Sequence, residues 1–123
     1  DIDLESRDGM VDRVKEKITE VCERRNLEAD VSILNANNPC TSGENIVSTI
    51  ESIVQNAGYS YQKLVSRAYH DTLFMAEICP TAMIFVPSEN GYSHRPEEFT
   101  SSEEIARGVT VLAHTLAQLS TDT

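Results

Sequence analysis

The amino-acid sequence predicts an α/β fold from three kinds of observation. Apolar residues recur at helical spacing in several segments, and three short segments have the character of strands. Helices and strands alternate along the chain, as in α/β proteins. The second part of the chain has only about two predicted strands and about three predicted helices. A sheet of two strands would leave its edges and apolar faces uncovered. We therefore expect the chain to be the C-terminal portion of a larger protein.

The N-terminal part is predicted to form a strand, a helix and a second strand. Residues 1–4 alternate polar and apolar, as the end of a half-buried strand does. A helix follows, with Ser6 or Asp8 as its N-cap and Asn26 at its end. Its apolar stripe consists of Val11, Val14, Ile18, Val21 and Cys22. Residues 27–33 alternate again and predict a strand with one solvated face.

A linker rich in Asn, Pro, Ser and Gly spans residues 35–43. It predicts a domain boundary that separates residues 1–38 from residues 39–123.

After the linker, the apolar residues within 46–57 predict a second helix, which Gly58 ends in a left-handed conformation. Residues 59–65 are predicted to be extended. A brief helix follows, with Asp71 as its cap, and it ends before Pro80.

The apolar run 81–86 predicts a strand buried on both faces, and Pro87 ends it. A loop is predicted over residues 88–100. Ser101 and Glu104 form a capping box for a last helix. The apolar stripe of this helix consists of Ile105, Val109, Leu112, Leu116 and Leu119.

The charge pattern argues against nucleic acid as a partner. Twenty acidic and ten basic residues give a formal net charge of −10, and the cations are scattered. Phosphate neutralisation needs clustered cations. No apolar run is long enough to predict a membrane span. The three cysteines are too few and too far apart for a disulfide scaffold or a C-x-x-C metal site.

Two of the three histidines lie at positions that are typical of catalytic or ligand-binding residues. His70 lies where an extended segment meets the start of a helix, near backbone N–H groups. His94 lies in the loop after the apolar run, with Glu97 and Glu98 close behind, and this combination suits zinc or manganese. A surface-loop histidine fits the His94 pattern equally well. His114 faces away from the last helix's stripe and is predicted to be exposed without a chemical role.

The two histidine segments together resemble a family of metal-dependent amidohydrolases. Residues 66–76 (SRAYHDTLFMA) are similar to the S-G-A-G-H-D-A segment of enzymes that act on carbamoyl and ureido compounds, within the M20 peptidase-like clan. Residues 83–87 and then 91–98 (GYSHRPEE) resemble the family's strand and its G-x-S-H-x-P-x-E loop. The form with Arg67 and Tyr69 is most similar to the plant branch that acts on ureidoglycolate.

The resemblance implies a two-domain enzyme with a catalytic α/β domain and a smaller lid and dimerisation domain. Residues 1–38 would be the last strand–helix–strand of the lid, and residues 39–123 the C-terminal part of the catalytic domain. His94 matches a metal-ligand position, and His70 matches a catalytic residue that binds substrate and polarises its carbonyl. Tyr69 would bind substrate as well. The implied cofactor is Mn²⁺, two ions per subunit, with Zn²⁺ as the alternative.

The implied reaction is hydrolysis of ureidoglycolate to glyoxylate, ammonia and carbon dioxide in ureide and purine catabolism. Most of the wider group has Gly where this sequence has Tyr69, which favours the short ureidoglycolate over allantoate. The alternative for Tyr69 is that it only packs at the pocket wall.

Two other interpretations stay open. One keeps the reaction class but has allantoate or another N-carbamoyl acid as substrate. The other is a truncated, non-catalytic interaction module. The family's general base and other metal ligands match no residue here, so the chain alone is expected to be inactive. A homodimer formed through the lid and a location in the endoplasmic reticulum are implied by resemblance only.

Overall fold

The computed structural model describes residues 3–121, and its regular structure there is helical. The elements are α1 (Leu4–Arg25), α2 (Glu44–Asn56), α3 (Thr72–Met75), a 3-10 turn (Glu89–Gly91) and α4 (Ser102–Thr121). The chain divides into two compact units, one up to Cys40 and one from Thr41 onward. Whether these units are the lid and catalytic domains that the resemblance implies stays a prediction. No helix in residues 3–121 combines the length and apolar character that a membrane crossing needs.

The predicted strands are not found: no residue from 3 to 121 lies in a strand, so α/β architecture is not confirmed for this chain. A strand forms only where its backbone N–H and C=O groups pair with a neighbouring strand. The described residues supply no such neighbour to the segments 27–33 and 81–86. Apolar side chains in these segments are therefore exposed to solvent, Ile33 to 56% and Phe85 to 53%.

Helix α1 begins earlier than predicted. The carboxylate of Asp3 accepts the N–H of Ser6 at 3.2 Å and caps the helix. The predicted caps Ser6 and Asp8 therefore lie inside α1, and Leu4 is helical rather than part of a strand. Asp1 and Ile2 lie outside the described residues.

The predicted helix ends are confirmed, because each has a residue suited to positive φ. Asn26 ends α1 with φ 52°, and the N–H of Leu27 donates to the Cys22 C=O at 2.9 Å. Gly58 follows α2 with φ 71°, and the N–H of Tyr59 donates to the Val54 C=O at 3.1 Å. This is the Schellman pattern, in which a left-handed residue turns the chain back onto the last carbonyl groups.

Helices α3 and α4 start in different ways. Asp71 is the N-cap residue of α3, as predicted, but its side chain makes no capping hydrogen bond. The Oγ of Ser101 accepts the N–H of Glu104 at 3.3 Å, which confirms the predicted start of α4.

Helix α2 packs against α4, and the buried residues of the described part lie there: Val54, Val111 and Thr115. The Oγ of Thr115 donates to the Val111 C=O at 2.8 Å, which satisfies this buried hydroxyl. The stripe predicted on α4 is largely open instead, with Val109 58% and Leu116 60% exposed. The apolar spacing predicts an amphipathic helix but does not say which face of it is covered within this chain.

The total solvent-accessible surface is larger than that of a typical folded monomer of the same mass. It is 9991 Å², whereas a folded monomer of this mass is expected to expose about 6,600 Å². Large apolar side chains contribute to this surface, among them Leu34 at 95%, Ile78 at 78% and Leu116 at 60% exposure.

Residues 81–87 contact the start of α2 at one end and α4 at the other, and Gly108 allows the close contact with α4. The N–H of Gly43 donates to the Thr81 C=O at 2.8 Å. On α4, a Cβ added at Gly108 would lie 2.5 Å from the Cγ1 of Val86, closer than two carbon atoms can approach. Only glycine at position 108 lets α4 lie this near the segment.

We expect Gly108→Ala to destabilise α4, although alanine is the better helix former by about 1 kcal/mol. The added methyl group would overlap Val86, and overpacking costs about 1–3 kcal/mol. Amide hydrogen exchange in α4 peptides of the intact protein should be faster in the variant. The matched control is Gly9→Ala in α1, where nothing lies within 4 Å of the new Cβ. Exchange in α1 should become slower in that control.

Val86→Ala, which removes the overlapping methyl group, should restore α4 protection in the Gly108→Ala background. Slower exchange in α4 after Gly108→Ala alone would show that the close approach is not a constraint.

Candidate functional site

His70 is held from two sides where the chain enters α3. Its Nε2 lies 2.7 Å from the Oγ of Ser66, within hydrogen-bond distance. Its ring and that of Phe85 form an edge-to-face pair, with centroids 5.7 Å apart and an interplanar angle of 63°. The residue is half-buried. Because both contacts act on the side chain, they fix the plane of the imidazole as well as its position.

Tyr69 is directed to a different aromatic partner. Its ring meets that of Phe74 on α3 edge-on, with centroids 5.8 Å apart and an angle of 66°. More than half of the residue, 57%, is exposed. Tyr69 therefore presents an oriented ring to the surface next to His70, as a group that contacts a ligand must.

His94 lies in the loop that follows residues 81–87. It is exposed, and its backbone has φ 56°, in the left-handed region where histidine is enriched among non-glycine residues. The N–H of His94 donates to the Glu98 carboxylate at 2.8 Å. Glu97 instead pairs with Arg95 at 3.0 Å. Of the two glutamates, Glu98 is thus the one that supports His94, through the backbone and not through the imidazole.

The ends of this loop are tied together. The N–H of Glu89 donates to the Phe99 C=O at 2.8 Å, and the Oγ of Ser88 donates to the Tyr92 C=O at 2.7 Å. The guanidinium of Arg95 lies 4.2 Å from the centroid of the Tyr92 ring, a cation–π contact. His94 therefore sits on a loop whose path is set by several local contacts.

The two histidines are not brought together within residues 3–121. No hydrogen bond, ion pair or ring contact joins them there, and no three His, Cys, Asp or Glu residues in that range could hold a metal ion. The imidazole of His94 makes no hydrogen bond in the described part, so its nitrogens are available to a ligand. The imidazole of His94 can serve as one ligand of a metal site, whereas a catalytic ion needs about three protein ligands.

The exposure of His114 agrees with the prediction, whereas two contacts of His70 are not predicted by the sequence. His114 is exposed, as predicted, and its Nδ1 lies 2.9 Å from the Thr110 C=O. The contacts of Ser66 and Phe85 with His70 have no signal in the sequence pattern. Phe85 lies fifteen residues from His70 along the chain, so their meeting depends on the fold.

Comparison with known proteins places these segments among hydrolases. The model of peptidase family M20/M25/M40 matches residues 4–118. Ureidoglycolate hydrolase of Oryza sativa subsp. japonica is 40% identical over 121 residues, which are 98% of this chain and 25% of that protein. Ureidoglycolate hydrolase of Arabidopsis thaliana is 38% identical over 123 residues, 99% of this chain and 26% of that protein.

Allantoate amidohydrolase of Escherichia coli (strain K12) is 33% identical over 99 residues, 80% of this chain and 24% of that protein. The chain therefore spans about a quarter of the length of these curated relatives.

We expect Glu98→Ala to loosen the loop around His94. A left-handed conformation costs a non-glycine residue about 1–2 kcal/mol, and the charge-assisted bond to Glu98 offsets that cost. Amide exchange of peptides covering residues 88–99 should become faster in the intact protein. Glu97→Ala is the control, because its pair with Arg95 is exposed and contributes about 0–1 kcal/mol. Equal acceleration in the two variants would count against a special role of Glu98.

Proposed function

The chain belongs to peptidase family M20/M25/M40, and from this membership we propose that the protein carrying it hydrolyses ureidoglycolate. The observation that supports this substrate most strongly is 38–40% identity to two plant ureidoglycolate hydrolases over nearly the whole chain. Identity to the allantoate amidohydrolase is lower, at 33%, and covers less of the chain. The family resemblance seen in the two histidine segments is thereby confirmed.

The whole protein, in this proposal, is a two-domain homodimeric enzyme, and this chain is its C-terminal portion. Two observations support that arrangement: the chain spans about a quarter of its curated relatives, and large apolar side chains on α4 are uncovered. The unit up to Cys40 would belong to the lid and dimerisation domain. The unit from Thr41 would complete the catalytic domain. The endoplasmic reticulum is the proposed location.

His70 is the proposed catalytic residue of this chain. Its imidazole, fixed by Ser66 and Phe85, would donate a hydrogen bond to the ureido carbonyl oxygen. That bond strengthens as negative charge develops on the oxygen, so it stabilises the transition state more than the substrate. Tyr69, exposed beside it, would contact the substrate and limit its size.

His94 would hold one of two divalent metal ions, Mn²⁺ or alternatively Zn²⁺. Such ions supply an activated water nucleophile and stabilise the developing negative charge. Attack of water on the ureido carbon breaks the bond to the terminal nitrogen and releases ammonia. The resulting carbamate loses carbon dioxide, and the remaining aminol breaks down to glyoxylate and a second ammonia.

We expect ureidoglycolate hydrolysis by the intact protein to require metal and His94. Treatment with a chelator should abolish ammonia release, and added Mn²⁺ should restore it. His94→Ala should lower kcat by about 100-fold or more, since loss of groups that merely orient a ligand already costs about 10–100-fold. His114→Ala is the matched control, because that exposed imidazole lies on α4 and contacts only the Thr110 C=O within residues 3–121.

The outcome of that assay separates the candidate functions. Metal-dependent turnover of allantoate alone would move the substrate and keep the reaction class. Turnover of neither compound would favour the non-catalytic interaction module. The 123-residue chain by itself should be inactive, since its described residues hold no complete metal site.

We expect Tyr69→Gly to shift the preference toward allantoate. Removal of the ring opens space beside His70, and changes of this size in a pocket alter selectivity by about 10- to 200-fold. The measurement is the ratio of kcat/KM for allantoate to that for ureidoglycolate. Tyr69→Phe keeps the ring and removes the hydroxyl, so it separates pocket volume from hydrogen bonding. An unchanged ratio in Tyr69→Gly would limit Tyr69 to packing on Phe74.

A further inference from the structure

We propose that Ser66 is a positioning residue for His70, and that its hydroxyl donates to Nε2 and so leaves the proton of the neutral imidazole on Nδ1. This inference rests on the proposed function, because it concerns how His70 acts on the ureido carbonyl. The hydrolysis itself does not require a contact between Ser66 and His70. The Oγ of Ser66 lies 2.7 Å from Nε2, at a half-buried position.

The contact limits which nitrogen can serve the substrate. A neutral imidazole has one N–H donor and one acceptor nitrogen. Since Nε2 faces the Ser66 hydroxyl, Nδ1 is the nitrogen left to meet a ligand. To donate to a carbonyl oxygen, Nδ1 must carry the proton, and Nε2 must then accept from Ser66. A hydroxyl can rotate to make that bond.

The direction of the ring also depends on the pair. Phe85 contacts the imidazole in an edge-to-face arrangement, at a centroid distance of 5.7 Å. One aromatic contact permits the imidazole to turn over, because a carbon edge and a nitrogen edge pack almost equally well. The bond from Ser66 distinguishes the two edges, since only a nitrogen accepts it. Ser66 therefore selects one ring orientation and one tautomer together.

Two properties make Ser66 suited to this task. Within residues 3–121 its hydroxyl has no hydrogen-bond partner other than His70, so no competing acceptor draws its proton away. It also lies four residues before His70, in the same segment that precedes α3. The supporting group and the histidine are therefore close along the chain, which lowers the entropic cost of holding them together.

The first test is kinetic and uses the intact metal-loaded protein with ureidoglycolate. Ser66→Ala should lower kcat by about 10- to 100-fold, because a misdirected catalytic group costs about that much. KM should stay within about twofold, since the bond to the oxygen matters most in the transition state. Ser66→Thr keeps a hydroxyl and should retain most of the activity. Ser60→Ala, at an exposed serine outside these contacts, should match the unaltered protein.

The second test does not depend on turnover. Diethyl pyrocarbonate modifies an unprotonated, accessible imidazole nitrogen, and peptide mass spectrometry measures the rate at each histidine. In Ser66→Ala, His70 should react several-fold faster, because Nε2 has lost its partner. Ser66→Thr and Ser60→Ala should leave that rate unchanged. His114, on α4 and exposed, is the internal reference and should react at one rate throughout.

The outcomes are distinguishable. Loss of kcat that Ser66→Thr rescues, with faster modification of His70 in Ser66→Ala, would establish the positioning role. Equal losses in Ser66→Ala and Ser66→Thr, a change in KM alone, or an unchanged modification rate would overturn it. If no variant and no unaltered protein turns over ureidoglycolate, the proposed function fails, and the modification rates still decide whether Ser66 holds Nε2.

Discussion

The close contact between Gly108 on α4 and Val86 fixes the segment from which both histidines are positioned. A Cβ at position 108 would lie 2.5 Å from the Val86 Cγ1, so the segment 81–87 lies directly against the helix. At its other end, the Thr81 C=O accepts the N–H of Gly43 at the start of α2. Because α2 also packs on α4, the segment is held at two points by one pair of helices. Phe85 then supports His70.

The same segment leads directly into the loop of His94. Ser88 and Glu89 bind the backbone of Tyr92 and Phe99, so the loop starts and ends at a fixed place. His70 and His94 thus depend on one stretch of chain, although they do not touch each other within the described residues. A disturbance of the α2–α4 packing would reach both histidines through residues 81–87. The residues buried on these two helices are Val54, Val111 and Thr115.

Local patterns predict the helices and their ends well, and they predict the strands poorly, for one physical reason. A cap such as Asn26, Gly58 or Ser101 acts on atoms within a few residues, so its effect is contained in the local sequence. A strand needs hydrogen bonds from another strand, which local sequence does not supply. The candidate site divides in the same way. Residue type and motif single out His70, Tyr69 and His94 as candidates, whereas the Phe85 contact depends on the fold and the Glu98 bond on a left-handed turn.

Around α3, His70 and Tyr69 are neighbours in sequence but contact different aromatic side chains. His70 contacts Ser66 and Phe85, while the neighbouring Tyr69 packs its ring on Phe74. A change at position 69 therefore alters the volume beside the imidazole without removing either contact that orients it. In the proposed function, the residue that limits substrate size and the residue that acts on the carbonyl are neighbours with different aromatic partners. In the proposed function, exchange of glycine and tyrosine at position 69 would therefore change the preferred substrate while Ser66 and Phe85 still orient His70.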